Sequence, residues 1–253
     1  KVEKKVYENK IESKKEDSSS SSSSKKNYTN FLHPEANGNQ IIAHQIYTLS
    51  YSEKDEQAEW VAYKLFKNSI NNSVKRKDNF RKDLKVVSGS ANLKDYKKSG
   101  FDRGHLAPAK AMSFSKQTMS ESFYMSNMSP QKPSFNRGIW KRLEEKVRGW
   151  ILISDSLYVV TGPVLNKPLG RIGENNVTVP NSYYKSIIRF NNNELFGIGF
   201  LLKNEKSNND LASFSVSIDS IEKITSLNFF HELDSVIQNR IEQNSNYQYF
   251  SQK

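Results

Sequence analysis

One stretch, residues 101–144, gathers the side chains that could do chemistry. It begins Phe101-Asp102-Arg103-Gly104-His105-Leu106-Ala107-Pro108, passes through Asn127-Met128-Ser129-Pro130-Gln131 and closes with Asn136-Arg137-Gly138-Ile139-Trp140-Lys141-Arg142-Leu143-Glu144. A neutral imidazole takes a proton from water near neutral pH. A hard divalent cation prefers oxygen ligands and keeps several waters. A guanidinium clamps phosphate with two parallel hydrogen bonds. A histidine, an arginine, two asparagines and a glutamate on a helical pattern together meet the needs of metal-assisted phosphodiester hydrolysis. Arg103 stands two residues before His105, so on an extended segment both side chains share a face. Gly104 between them allows close backbone approach. His33, His44 and His231 lack such neighbours and read as surface or satisfied core residues.

The elements that must position this stretch follow from periodicity. Ile41–Ser50 alternates like a strand, with Ile42, His44, Ile46 and Thr48 on one face, and Ala58–Phe66 completes a hairpin with it. A helix through Trp60 and Lys64 is the competing assignment. Residues 68–100 are basic and polar and read as a long surface loop over the site. Phe114–Met125 reads as a helix capped at Ser115 or Ser120. Residues 136–150 place Ile139, Trp140, Leu143, Val147 and Trp150 at helical spacing. Leu157–Thr161 is a buried-type strand. Tyr183–Phe190 and Leu195–Leu202 are two strands across an Asn191-Asn192-Asn193 turn, and Phe214–Ile218 is a short strand. Ile218–Thr225 and Leu233–Ile241 are helices, after which the end frays. Strands and helices mix without regular alternation, so the fold class is α+β.

The chain has 253 residues, no cysteine and a net charge of +11. No disulfide or thiolate-bound zinc is therefore available, and no apolar run is long enough to cross a membrane as a helix. Residues 1–27 form a Lys/Glu-rich and then Ser-rich segment, too poor in apolar residues to offset its ordering entropy, and read as a disordered tail and linker before a domain at 28–253. The basic excess lies around the histidine stretch: residues 74–116 hold twelve Lys plus Arg against four Asp, and residues 132–148 hold six against two Glu. A solvated face is the ordinary reading of a charge run. Its coincidence with the candidate site points instead to a polyanionic partner.

Asp-Arg-Gly-His at 102–105, Asn-Met-Ser-Pro-Gln at 127–131 and Asn-x-Gly-x-Trp-x-x-Leu-Glu at 136–144 resemble the DNA/RNA non-specific endonucleases. The likeness continues through Val160-Thr161-Gly162-Pro163, Val179-Pro180 before Tyr184-Lys185, and Ser220-Ile221-Glu222, covering roughly residues 40–232. It implies a ββα-metal core and hydrolysis of DNA and RNA with little sequence preference, giving 5′-phosphate ends. It implies His105 as general base and Asn136 as the single direct ligand of Mg²⁺, with Mn²⁺ as a substitute. Asn136 also suits a helix N-cap. Asn127 is expected to support the site by hydrogen bonding, although a turn-forming Asn is an equal reading. Glu144 follows Asn136 by eight residues, about 12 Å and about 80° on one continuous helix, which suits a role holding metal waters. Arg103 is a candidate for steadying the phosphate. Arg76, in Arg-x-x-x-Phe-x-x-Asp ending at Asp83, resembles a second site arginine, with Lys75, Lys77 and Arg81 as competitors. Asp102 is expected to be structural. Expected partners are DNA and RNA; a homodimer is the assembly to test, and no inhibitor protein is identified. A broad nuclease endangers its own cell, and the serine linker suits export, so a secreted or periplasmic location is expected.

Overall fold

The computed structural model describes residues 33–35, 37–67 and 74–252. The tail-and-linker reading of residues 1–27 and the start of the domain lie outside the described residues, as do residues 68–73 of the expected loop. The strands are β1 (Gln40–Ala43), β2 (Tyr47–Ser52), β3 (Gln57–Phe66), β4 (Asp102–His105), β5 (Met128–Gln131), β6 (Ser156–Val164), β7 (Gly170–Ile172), β8 (Val177–Val179), β9 (Ser182–Asn191), β10 (Glu194–Lys203) and β11 (Ser215–Val216). The helices are α1 (Leu93–Tyr96), α2 (Lys116–Glu121), α3 (Lys141–Trp150), α4 (Ile218–Thr225), α5 (Ser235–Glu242) and α6 (Tyr247–Ser251).

An antiparallel sheet runs in the order β1-β2-β3-β6-β9-β10-β11, while β4-β5 and β7-β8 are separate two-stranded ribbons. One row across the sheet, Val61–Thr161–Lys185–Phe200, is directly opposed strand to strand, so its side chains share a face. Val61 and Phe200 on that face join Leu143, Val147 and Trp150 of α3 in one apolar core. The β4-β5 ribbon lies on the same side: Ser129 Oγ is 2.7 Å from Tyr183 Oη and donates to Gln57 Oε1. The α4 helix covers the opposite face, where a Cβ on Gly199 would stand 2.7 Å from Ile221 Cδ1. The order β4, β5, helix is the ββα unit, set on one face of an α+β domain.

Several elements differ from the sequence expectation. Ile41–Ser50 is two strands that pair with each other, because the chain turns at residues 44–46 and buries the His44 ring against Asp83. The expected helix at 114–125 holds only for Lys116–Glu121, capped by Ser115. Beyond it the backbone leaves the helix to pair with Arg81, which donates to Phe123 O and accepts from Met125 N. The loop at 74–92 is tied down through buried Asp83 and followed by α1, which is closed by an Asn92–Asp95 capping box. The helix expected at 136–150 is broken: a wide turn over Phe135–Trp140 carries non-helical Gly138 (φ −105°, ψ −111°), and α3 begins after it. The chain end packs, with Phe250 fully buried and its ring 5.0 Å from Trp150. The Tyr183–Leu202 hairpin matches, its turn carried by Asn192 and Asn193 at φ 49° and 64°.

Candidate active site

His105 ends β4 and lies between two aromatic rings. Phe123 meets the imidazole edge-on at 4.9 Å, and Phe80 lies tilted at 5.8 Å. Each ring also faces a guanidinium: Arg76 sits 5.0 Å from the Phe123 centroid and Arg103 sits 4.1 Å from that of Phe80. Burial of the imidazole, with the Arg76 charge next, pushes its pKa down to about 3, Arg103 adding to the shift and Asp78 opposing it. His105 is therefore neutral throughout the physiological range, and its buried Nε2 has no hydrogen-bond partner among the described residues.

The strand register fixes this arrangement. Asp102 opposes Gln131 and Gly104 opposes Ser129. A Cβ at Gly104 would stand 2.1 Å from Gln131 Cδ, and Gln131 is itself fully buried. Glycine is thus required between Arg103 and His105. Asn127 holds the segment after the histidine: Oδ1 accepts from Ala107 N at 2.8 Å, and Nδ2 donates to Ala107 O and Ser122 O. It has no exposed surface, so it positions backbone and does not reach a substrate.

Asp102 does more than the structural role expected of it. Its carboxylate accepts from Asn136 Nδ2 at 2.8 Å and takes a two-pronged Arg137 contact at 2.8 and 2.7 Å. Burial alone would raise its pKa, but these hydrogen bonds, Arg137 first, hold it below the usual carboxylate range. Because Asn136 donates its amide nitrogen to Asp102, its Oδ1 is left as a hard oxygen donor. Asn136 lies inside the wide turn and does not cap a helix by its side chain, since the turn starts at Ser134 without a side-chain cap.

Arg76, Asp78, Asp102, Arg103, Asn136 and Arg137 line one cleft of about 530 Å³. Arg81 is turned away, stacked 3.9 Å over Tyr124 and bonded to Ser120 O, whereas Arg76 donates to Asp78 Oδ1 at 2.6 Å within the cleft. Glu144 stands in the first turn of α3 and does not line this cleft. Burial pushes its carboxyl up to about 7, with Lys185, Arg148 and Arg76 pulling it down and Glu145 pushing it up.

Sequence reasoning missed three further features. His44 Nε2 lies 2.8 Å from Asp83 Oδ2, which also accepts from Ser126 Oγ at 2.6 Å, and this buried knot anchors the loop that bears Arg76 and Phe80. Lys185 is fully buried beside Trp140. Asp219, Glu222 and Glu242 place carboxylate oxygens within 4.8 Å of one another on α4 and α5. No spacing in the sequence marks the first two, because the partners are tens of residues apart.

A profile of the DNA/RNA non-specific endonucleases matches residues 24–236. The chain belongs to that family. A nuclease of Nostoc is 31% identical over 81% of this chain and 78% of its own length. The mitochondrial nuclease EXOG of Homo sapiens is 34% identical over 78% of this chain and 58% of its own length. A solved EndoG/EndoGI complex superposes with a TM-score of 0.74 at 30% identity, covering 79% of this chain and 89% of that one. The ββα arrangement and the family membership expected from the motifs are thus both found, and a family of nucleases makes this chain a hydrolase of nucleic acids. The expected secreted or periplasmic location does not stand: the curated relatives include mitochondrial nucleases of Mus musculus, Homo sapiens and Saccharomyces cerevisiae, so this family's domain is not tied to export.

Proposed function

We propose that the protein is a metal-dependent endonuclease cutting DNA and RNA with little sequence preference. The observation that carries the reading is the aromatic-boxed, neutral His105 set beside a cleft where Arg76, Arg103 and Asn136 converge. His105 takes a proton from water as the water oxygen bonds to phosphorus. The P–O3′ bond breaks in line, leaving a 5′-phosphate, and the departing oxygen is protonated from solvent to a 3′-hydroxyl. Arg103 and Arg76 hold the phosphate in place for attack. The Asn136 oxygen donor fits Mg²⁺, with Mn²⁺ as a substitute: Asn136 would offer Oδ1 directly, and Glu144 would hold waters of the ion. When bound, the cation supplies neutralisation of charge building on the phosphate. Asn127 and Asp102 support the two ends of the ribbon.

Phosphate contacts carry no sequence information directly, and Lys75, Lys77 and Lys82 are exposed on the loop that borders the cleft. Lys85 is excluded from that set because its Nζ donates to Ala43 O at 2.6 Å. A similar nuclease is solved with EndoGI, so an inhibitor protein is a further partner to test for this chain. The rival reading is a nucleic-acid binding module on the same fold. Plasmid, linear DNA and total RNA, each with Mg²⁺ and with excess EDTA, separate the two. Smearing of all three substrates, abolished by EDTA, is expected. Intact substrates, discrete bands, or full activity in EDTA would overturn the proposal.

A further inference from the structure

Arg137 stands at the first open position of the pattern Asn-x-Gly-x-Trp, so the motif assigns it no role. Its guanidinium is at once fixed and exposed. Nε and Nη2 donate to the two oxygens of Asp102 at 2.8 and 2.7 Å. The Arg137 side chain nevertheless keeps 73% of its surface in solvent, against 17% for Asp102. A solvated ion pair that holds one rotamer among many is the ordinary role of such a residue. Three observations set Arg137 apart.

The fork holds the guanidinium beside Asn136, because Asp102 Oδ2 accepts from Arg137 Nε and from Asn136 Nδ2, each at 2.8 Å. Consecutive residues of a regular helix point about 100° apart. The wide turn, with its break at Gly138, instead brings both onto one carboxylate. The fork also leaves Nη1 without an acceptor among the described residues, and Arg137 lines the same cleft as Arg76 and Arg103. Both acids of that cleft are already taken, Asp78 by Arg76 and Asp102 by Arg137, so the three arginines leave its lining net positive. A preset guanidinium with free donors in a positive cleft suits a phosphate oxygen.

The strand says which phosphate. Side chains at 102 and 103 leave β4 on opposite faces. Arg137, seated on Asp102, therefore enters the cleft from the other face of β4 than Arg103 and His105. That separation points to a neighbouring phosphate and not to the scissile one held by Arg103.

We propose that Arg137 is a substrate-binding residue: held on Asp102 through Nε and Nη2, it donates Nη1 to the phosphate next to the scissile one. It grips the backbone of DNA and RNA alike and reads no base. This rests on the nuclease reading given above and extends it by one backbone contact.

The test measures binding without cleavage. Wild type, Arg137→Gln, Arg137→Lys and Lys223→Gln are titrated against a fluorescein-labelled DNA duplex in EDTA, by anisotropy, over a range of salt concentrations. Lys223 is exposed on α4, which covers the opposite face of the sheet. Arg137→Gln should weaken binding roughly 5- to 10-fold at about 0.1 M salt and flatten the log–log salt slope by about 1, the share of one phosphate contact. Arg137→Lys should keep the slope, since an ammonium still meets phosphate as a point charge. Lys223→Gln removes the same charge elsewhere and should leave the slope as in wild type. In an Asp102→Asn background the loss caused by Arg137→Gln should persist. The Arg137 side chain is mostly exposed, so neither substitution there removes core packing.

Three results would overturn the proposal. An unchanged slope in Arg137→Gln means that the residue only pins Asp102. An equal loss in Lys223→Gln means that net charge alone matters. A loss that vanishes once Asp102 is neutral means that Arg137 only covers that carboxylate. Failure of the nuclease reading shows differently: DNA stays intact with Mg²⁺ while the slope difference persists in EDTA. A wild type that binds no DNA overturns both.

Discussion

Asn136 donates its side-chain amide to Asp102 across 34 residues of sequence, at 2.8 Å, and the second oxygen of Asp102 is held by Arg137. This contact aims the free carbonyl oxygen of Asn136. Asp102→Ala should therefore raise the Mg²⁺ concentration needed for half-maximal cleavage roughly 10- to 100-fold, the usual cost of losing a residue that orients a ligand. Metal titrations of wild type and variant check it. An unchanged Mg²⁺ requirement would mean that Asn136 is oriented by something else.

The pH dependence of cleavage should follow Glu144 and not His105. His105, its pKa pushed down to about 3 chiefly by burial, is neutral across the working range and contributes no titration there. Glu144, pushed up to about 7 by burial, gains its charge as pH rises through that value. The rate should thus climb through about pH 7, and Glu144→Gln should abolish the climb while lowering the plateau. His105→Ala should lower turnover by about 10²–10⁴ at every pH. A climb that survives in Glu144→Gln would assign the titration to another group.

Gly104→Ala should be among the most damaging small substitutions. The added Cβ meets the buried Gln131 side chain, which has no solvent to retreat into. Overpacking of this kind costs about 1–3 kcal/mol, roughly 3–10 °C of Tm in a domain of this size. Pairing Gly104→Ala with Gln131→Ala should recover much of the loss, and calorimetry of the three variants decides it.

The trio Asp219, Glu222 and Glu242 predicts a pH effect on stability that is separate from catalysis. Burial, then the Glu222 charge, pushes Glu242 up to about 8. A folded value above the unfolded one means that the fold is favoured while the carboxyl is protonated. That favour is complete below about pH 4.5 and is lost as pH rises toward 8. Glu242→Gln keeps the Oε1 that accepts from Gln238 at 3.2 Å, so it should change Tm little at pH 5 and raise it by a few degrees at pH 9. Equal shifts at both pH values would show that Glu242 does not carry the dependence.

Much of the site was legible because its residues lie close in sequence. Arg103 and His105 are two apart on a strand, and the ribbon's second strand and the helix follow within 45 residues of them. The sheet strands at 157–161, 183–190 and 195–202 announced themselves as apolar runs around a turn. What stayed hidden depends on pairing at a distance. Asp102 could not be connected to Asn136 without the fold, nor His44 to Asp83, and a lysine inside the apolar run Tyr183–Phe190 looks like any outward residue of a strand. The break at Gly138 escaped because the apolar spacing continues through it: the wide turn adds residues without changing which face is buried.

All three tryptophans are buried: Trp60 and Trp140 fully, Trp150 at 2% exposure. They occupy different surroundings. Trp60 stacks with His33, Trp150 is ringed by Phe200, Tyr247 and Phe250 with Lys146 Nζ 5.7 Å from its centroid, and Trp140 carries the buried Lys185 ammonium at 4.3 Å. The Trp140 indole is thus a native optical reporter. With Trp60 and Trp150 replaced by Phe, emission would come from the indole that packs on Phe135 and Tyr183 and faces Lys185, and its intensity would register the electric field there without any attached dye.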